Sequence, residues 1–141
     1  YSSVSKDLSP GDENSNNNKT VYTKLRIAKK DFPDASGNPA TSTWQNSHYA
    51  CLNMYSENGE TGWRLPTQRE MQAIWIFQEE LKTKCSSFTY LGEDYYWAET
   101  ESAATPLNAW MVYGEKNVIG GGGTSNRQKL DEIRARCVKE L

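Results

Sequence analysis

The stretch that decides the fold reads GWRLPT at residues 62–67, and it leads directly into a helical pattern of apolar residues. Thr67 and Glu70 have the spacing of a capping box, in which the first side chain accepts a hydrogen bond from the backbone N–H of the second residue. We expect Trp63 to lie in the core and the guanidinium of Arg64 to pair with a carboxylate. The stretch is therefore predicted to set the entry of a helix rather than to bind a ligand.

Two helices are predicted, one on each side of this stretch. The first begins at Ser42, which has capping-box spacing to Gln45, and it ends at the turn dipeptide Asn58-Gly59. Cys51 falls on its apolar face. The second helix begins after Thr67. Its core-facing positions recur at Met71, Ile74, Trp75, Gln78 and Leu81, ahead of a basic end at Lys82 and Lys84.

The remaining elements are predicted to be strands joined by loops. Residues 20–28 alternate apolar and polar side chains, which is typical of a half-buried strand. Residues 94–99 and 107–114 are aromatic-rich strand candidates. Residues 116–119 form a short candidate strand that ends in the glycine run at 120–123, where a turn is predicted.

The sequence of the final segment is compatible with either a helix or a strand. Its apolar residues have helical spacing at 130, 133, 137 and 141, and Glu132 stands four residues before Arg136, as in a helical ion pair. Residues 133–138 also alternate in the manner of a strand. Periodicity alone favours the helix slightly.

Composition indicates one small domain behind a polar lead-in. The chain has 141 residues and a net charge of −2. Residues 1–20 contain too few apolar side chains to offset the entropy of ordering, so they are predicted to be a flexible linker, and residues 21–141 form the domain. Near-neutral charge argues against a nucleic-acid partner. Since no run of about 18 apolar residues occurs, we expect no membrane insertion by this segment.

No secretory leader is recognisable at the start of the chain. The polar residues 1–20 look instead like a connector between domains. We therefore expect the chain to be the C-terminal part of a longer protein.

The cysteines allow two interpretations. Cys51, Cys85 and Cys137 could form one disulfide and one thiol, or three thiols in a reducing compartment. No pair has metal-ligand spacing and His48 is the only histidine, so neither a metal nor another cofactor is predicted. Without a recognisable nucleophile–base pair, the chain is not expected to be an enzyme.

Five motifs in a fixed order carry a resemblance to a known family. They are Trp44 to Cys51, residues 62–67 with Glu70, residues 96–100, Ala109-Trp110 and residues 136–138. In this order they resemble bacterial surface domains with a C-type-lectin-like fold, namely the C-terminal domains of collagen-like adhesins and the major paralogous domain proteins. The resemblance covers residues 21–141.

The resemblance implies an α+β fold in which two helices flank small antiparallel sheets. It also implies a disulfide between Cys51 and Cys137, which ties the first helix to the last strand. The final segment is then expected to be a strand, against its periodicity. Cys85 becomes the unpaired thiol.

The function implied by the resemblance is adhesion without catalysis. The domain is expected to be secreted to the bacterial cell surface or to a fimbria, where it would bind a host glycan, a matrix component or another extracellular protein. The alternative is a structural capping or assembly module that contacts neighbouring fimbrial subunits and has no host ligand.

The late loops and strands supply the candidate binding residues. Glu99, Glu101 and Asn108 could offer oxygen atoms to a ligand, and Trp110 could stack on a sugar ring. The residue pairs typical of calcium-dependent sugar binders are absent from the sequence. For the aromatic run at 95–97, sheet packing is favoured over sugar stacking, because alternate residues face opposite sides and at most one set can be exposed.

Overall fold

The structure is a computed structural model that describes residues 24–102, 104–115 and 118–141. This part of the chain is an α+β domain with three helices and two small antiparallel sheets. The helices are α1 (Trp44–Tyr49), which continues as a π-helical turn (Ala50–Met54), α2 (Gln68–Ile76) and α3 (Gln78–Lys84). The strands are β1 (Leu25–Ile27), β2 (Trp63–Arg64), β3 (Tyr95–Glu101), β4 (Asn108–Tyr113), β5 (Thr124–Gln128) and β6 (Val138–Glu140).

Each sheet has three strands. In the first, β6 lies between β1 and β2, so the first and last described strands are neighbours, and Ile27 pairs opposite Val138. In the second, β4 lies between β3 and β5. The strand at 124–128 was not predicted from the sequence, because its residues TSNRQ are polar and largely exposed.

The entry of α2 is built as the sequence predicts. Thr67 is the N-cap, and its Oγ1 accepts from the backbone N–H of Glu70 at 3.3 Å. The carboxylate of Glu70 receives two hydrogen bonds from Arg64, at 2.9 and 3.0 Å. Arg64 also donates to Glu140 on β6 at 2.7 Å. The predicted arginine–carboxylate pair is confirmed, and it joins the helix entry to the first sheet.

The prediction of a single helix after Thr67 is wrong in one respect. The structure has two helices, α2 and α3, which are separated at Phe77. Phe77 has φ −99° and ψ 14°, outside the helical range. Directly after the break, the buried side chain of Gln78 accepts a hydrogen bond from the backbone N–H of Leu91 at 2.9 Å. The core-facing position predicted for Gln78 is therefore kept across the break.

The first helix begins one residue later than predicted. Thr43, not Ser42, is the N-cap, and its Oγ1 accepts from the N–H of Asn46 at 3.3 Å. The backbone of Ser42 instead pairs with that of Ile133 in an isolated β-bridge. The capping box predicted at Ser42 and Gln45 is thus displaced by pairing with the distant final segment.

The final segment is extended, and it ends in β6. The helix favoured by its periodicity is wrong, and the strand implied by the resemblance is right. Arg136 is fully buried and donates to Asp31, at 2.9 and 2.7 Å, rather than forming the helical ion pair with Glu132. Cys137 and Cys51 form a disulfide and are both fully buried, while Cys85 is a free, partly buried thiol.

Two apolar clusters cover both faces of the second sheet. One contains Trp44, Trp63, Trp97 and the disulfide, and the other contains Met71, Tyr96 and Val112. Strands β3 and β4 are therefore packed on both faces, whereas β5 is largely exposed.

Some predictions lie partly or wholly outside the described residues. These are the linker at 1–20, the beginning of the strand at 20–28 and residues 116–117 of the candidate strand at 116–119. Val118 and Ile119 lie in a bend and turn, not in a strand. The glycine run forms the predicted turn before β5, in which Gly122 has φ +75° and lies against the ring of Trp75.

Candidate functional site

The two carboxylates predicted to bind ligand lie on β3 and already have partners. Glu101 is 2% exposed, and its Oε1 accepts from Nζ of the equally buried Lys129 at 2.6 Å. Oε1 of Glu99 lies 2.6 Å from Nδ1 of His48, and both side chains are about four-fifths buried. Lys129 also lies over the ring of Trp44, 4.5 Å from its centre. These contacts fix α1 and the residues before β6 onto the sheet.

The other two predicted residues lie on β4 and point to the opposite face of the sheet from Glu101. Asn108 and Trp110 are two residues apart, so they share a face, whereas Glu101 is opposite Ala109 in the register. Nδ2 of Asn108 donates to Oδ1 of Asn126 at 2.8 Å. Trp110 is half-buried and pairs opposite Asn126. The structure therefore brings Asn108 and Trp110 together and separates them from Glu101.

The aromatic run at 95–97 packs within the domain. Tyr96 and Trp97 are both fully buried, because each face of the sheet has its own apolar cluster. Tyr95 is partly exposed, and its ring lies 5.0 Å from that of Tyr113 and under the guanidinium of Arg127. The packing role favoured from the sequence is confirmed for Tyr96 and Trp97.

An open cavity of the described residues lies elsewhere, at a site that no sequence motif predicted. It is an open pocket of about 620 Å³ between the loop after β1, the turn at 55–58 and the segment at 87–90. Its lining includes Lys29, Lys30, Tyr90 and Arg134. We call it the β1-loop pocket.

Asp31, which lines the β1-loop pocket, belongs to a buried ion pair. Asp31 is 7% exposed, and its Oδ2 accepts from the hydroxyl of Tyr96 at 2.8 Å and from Arg134 at 3.3 Å. Its Oδ1 accepts from Arg136, which also donates to the backbone carbonyls of Ala28, Lys29 and Thr89. Because one guanidinium bonds two separate backbone segments, at 28–29 and at 89, it joins two walls of the pocket before any ligand binds.

Two tyrosines near this pocket are held protonated. Burial, then the negative charge of Asp31, raises the pKa of Tyr96 to about 12. Burial, then hydrogen bonding to Glu57, raises the pKa of Tyr55 well above its usual range, and its hydroxyl donates to Oε2 of Glu57 at 2.9 Å. Both phenols therefore act as hydrogen-bond donors at neutral pH.

The rim of the β1-loop pocket is cationic. Lys29 and Lys30 form no ion pair with any residue that the structure describes. Asp31 and Glu57, the two carboxylates in the lining, already accept two or more hydrogen bonds each. The pocket thus offers two ammonium groups, and Tyr90, 36% exposed, adds a ring face.

Neither a metal cluster nor a membrane-spanning helix occurs in the described ranges. They contain no group of three or more His, Cys, Asp and Glu side chains placed to hold a metal ion. Their helices are all too short or too polar to cross a bilayer.

The described residues form a disulfide-closed α+β domain with an open concavity at the β1-loop pocket. Comparison with protein-family models matches residues 14–139 to the Lcl C-terminal domain, and the chain belongs to that family. The family is one of surface-associated, lectin-like domains. A search of the curated proteins finds no match to the chain.

The residues of the β1-loop pocket were missed for a definable reason. Lys29 and Arg134 are 105 positions apart in the chain and belong to no shared motif. The only local signal was the adjacent pair Lys29 and Lys30 at the start of a loop with two prolines. That pattern is also typical of an ordinary solvated loop.

Proposed function

We propose that this domain is an extracellular adhesion module of a bacterial surface or fimbrial protein, and that it binds a glycan, a matrix component or another protein without catalysis. Its family supports a surface location. The disulfide between Cys51 and Cys137 supports an oxidising compartment. The adjacent first and last strands, with the disulfide tying α1 to the segment before β6, support a C-type-lectin-like fold.

The observation that carries this proposal is the β1-loop pocket. It is open, about 620 Å³ in volume and braced by the buried pair of Asp31 and Arg136. A preformed concavity loses little entropy on binding, which is the usual condition for recognition of a small polar ligand. This site replaces the late loops as the principal candidate, since Glu101 is paired with Lys129 and the carboxylate of Glu99 is about four-fifths buried beside His48.

The lining favours a ligand that carries an oxyanion beside an apolar face. Lys29 and Lys30 would pair with a carboxylate or a similar group, and the ring of Tyr90 would lie against the CH groups of a sugar or against a side chain. Since Tyr90 donates to Glu79 at 2.8 Å, its ring is held in one orientation.

An array of glycans and extracellular matrix proteins, probed with the full chain, tests the proposal. Lys30→Ala and Tyr90→Ala are expected to lower the signal at least fivefold, because each removes an exposed contact of the pocket. Lys84→Ala, which removes an exposed lysine from the end of α3, is the matched control and should leave binding unchanged. Absence of any ligand, or equal binding by all three variants, would contradict a role for this pocket.

Trp110→Ala separates the pocket from the surface predicted from the sequence. If Trp110→Ala abolishes binding while Lys30→Ala does not, the ligand lies on β4, at Asn108 and Trp110, and the pocket assignment is wrong.

The alternative is a structural module that contacts neighbouring subunits. Leu107 and Leu130 are 63% and 64% exposed, and they lie close together because Lys129 N donates to Leu107 O at 2.9 Å. Exposed leucines on neighbouring backbone segments suit an assembly surface. Two results together would favour assembly over adhesion. The domain would co-purify with sister subunits, and less so as Leu107→Ser, while no glycan or matrix protein on the array would bind it.

A further inference from the structure

A second groove lies along the outer edge of β1. It has a volume of about 450 Å³. Residues 25–27 of β1 line one side, and Leu81, Cys85 and Phe88 line the other. It adjoins the β1-loop pocket, because Lys29 and Glu57 line both. We call it the β1-edge groove.

The backbone of β1 directs hydrogen-bonding groups toward this groove. Ala28 N donates to Cys137 O at 2.9 Å, so Ala28 belongs to a pair that faces β6. In an antiparallel ladder the neighbouring positions alternate, and the N–H and C=O groups of Leu25 and Ile27 therefore point away from β6. Among the residues that the structure describes, no strand pairs with that side of β1.

Lys29 is the next residue whose backbone groups point away from β6, and these groups are already hydrogen-bonded. Its carbonyl receives a hydrogen bond from Thr89 N at 2.8 Å, and its N–H donates to Oε2 of Glu57 at 3.0 Å. A neighbouring segment thus pairs with the edge at Lys29. The pairing stops there, and the groove begins beside Ile27.

The side chains of the groove combine an apolar surface with two cations and two carboxylates. Arg26 is paired with Glu60, and Glu57 accepts hydrogen bonds from Lys29 N and from the hydroxyl of Tyr55. Leu25, Ile27, Leu81 and Phe88 supply the apolar part. The ammonium of Lys29 forms no ion pair within the described residues. Lys29 lies where the β1-edge groove meets the β1-loop pocket, since it lines both.

We propose that the edge of β1 is a docking site for an extended peptide segment of a partner protein, which adds to the first sheet as a fourth strand. Addition of a strand to an open edge uses the backbone for affinity and the side chains for selection. An aliphatic side chain of the peptide enters between Ile27 and Leu81, and a nearby carboxylate pairs with Lys29. The free part of the edge spans three residues, or about 10 Å, which suits a contact of three to four peptide residues.

Cys85 provides a covalent reporter for the test, because its thiol lines the groove. The full chain is incubated with hexapeptides that each carry one cysteine as a mixed disulfide with 2-mercaptoethanol. Attack by the Cys85 thiolate transfers the peptide and releases 2-mercaptoethanol. Peptides with a β-branched residue and an Asp or Glu are expected to be captured at least tenfold more than Gly-Cys-Gly. Equal capture of all the peptides, whatever their sequence, would overturn the proposal.

A pair of variants isolates the contribution of one backbone N–H of β1 to peptide binding. Leu25→Pro removes one outward N–H and is expected to lower the capture of the best peptide at least fivefold. Leu25→Ala keeps that N–H and should lower it less than twofold. The rate of Cys85 alkylation by iodoacetamide should be the same in both, which shows that the thiol itself is unchanged.

A chemical variant of the peptide keeps the proposal testable if Leu25→Pro does not fold. Methylation of alternate backbone nitrogens of the best peptide removes its donors to the edge without changing its side chains. Capture should fall at least fivefold. Undiminished capture of the methylated peptide would overturn the proposal, whether or not the glycan array has shown a ligand for the β1-loop pocket.

Discussion

Replacing both Cys51 and Cys137 with alanine should destabilise the domain by about 4.6 kcal/mol through chain entropy alone. The two residues are 86 positions apart. The disulfide therefore closes a loop whose entropy cost in the unfolded chain follows from that length in the loop-closure relation. Since both sulfurs are fully buried, two small cavities add to the loss. A domain of this size has about 5–15 kcal/mol of total stability, so the disulfide supplies a large part of it.

Urea denaturation followed by tryptophan fluorescence measures this effect. With a slope of about 2 kcal/mol per molar urea, the midpoint should fall by about 2 M. Cys85→Ala is the matched control, because Cys85 is a free, partly buried thiol, and its midpoint should hardly move. A loss below about 2 kcal/mol in the double variant, or three reactive thiols in the unreduced, unfolded wild-type chain, would refute the reasoning.

Three further predictions concern the core and its packing. Arg136→Leu leaves the carboxylate of Asp31 buried without its main partner, so thermal unfolding should show a loss of about 3–5 kcal/mol, and a loss below 1 kcal/mol would contradict the network. Because the pKa of Tyr96 is raised to about 12 in the folded state from 10.0, its stabilising contribution is complete below pH 10 and is lost as the pH rises toward 12. Urea titrations between pH 9 and pH 12 should show that decline, and Tyr96→Phe should make it shallower. Gly122→Ala places a methyl group 2.7 Å from the ring of Trp75 at φ +75°, and should cost about 1–3 kcal/mol in the same assay, whereas Gly37→Ala, also at positive φ but in open space, should cost less.

The parts of the fold that could be predicted from the sequence depend on neighbours in the chain. The N-cap at Thr67 follows from a hydroxyl placed three residues before Glu70, and both belong to one turn. Strands β3 and β4 were predicted to within two residues at each end, because their apolar and aromatic residues are dense. The turn at the glycine run needed only local backbone freedom.

Predictions failed where a distant partner competes with the local pattern. Ser42 resembles an N-cap, but its backbone pairs with Ile133 instead. The helical spacing at the end of the chain is real, yet an extended backbone allows Arg136 to reach Asp31, 105 positions away in the sequence. No window of neighbouring residues contains that information.

For the candidate site, too, the sequence indicated the residue types but not which of them are accessible to a ligand. The sequence could point to Glu99, Glu101, Asn108 and Trp110 as polar or aromatic residues near late loops. It could not show that Glu101 is paired with a buried lysine, because burial depends on the packing of α1 against the second sheet.

The sequence by itself determined the class of the domain, the entry of its central helix and, through the resemblance of its motifs, the pairing of Cys51 with Cys137. Only the tertiary structure decided where the concave surfaces lie. Local patterns arise from contacts a few residues apart, whereas the β1-loop pocket is enclosed by segments that meet only when β6 lies beside β1. The physical reason is that those segments are joined by contacts between residues far apart in the chain, among them one buried ion pair and one disulfide that each join residues more than 80 positions apart.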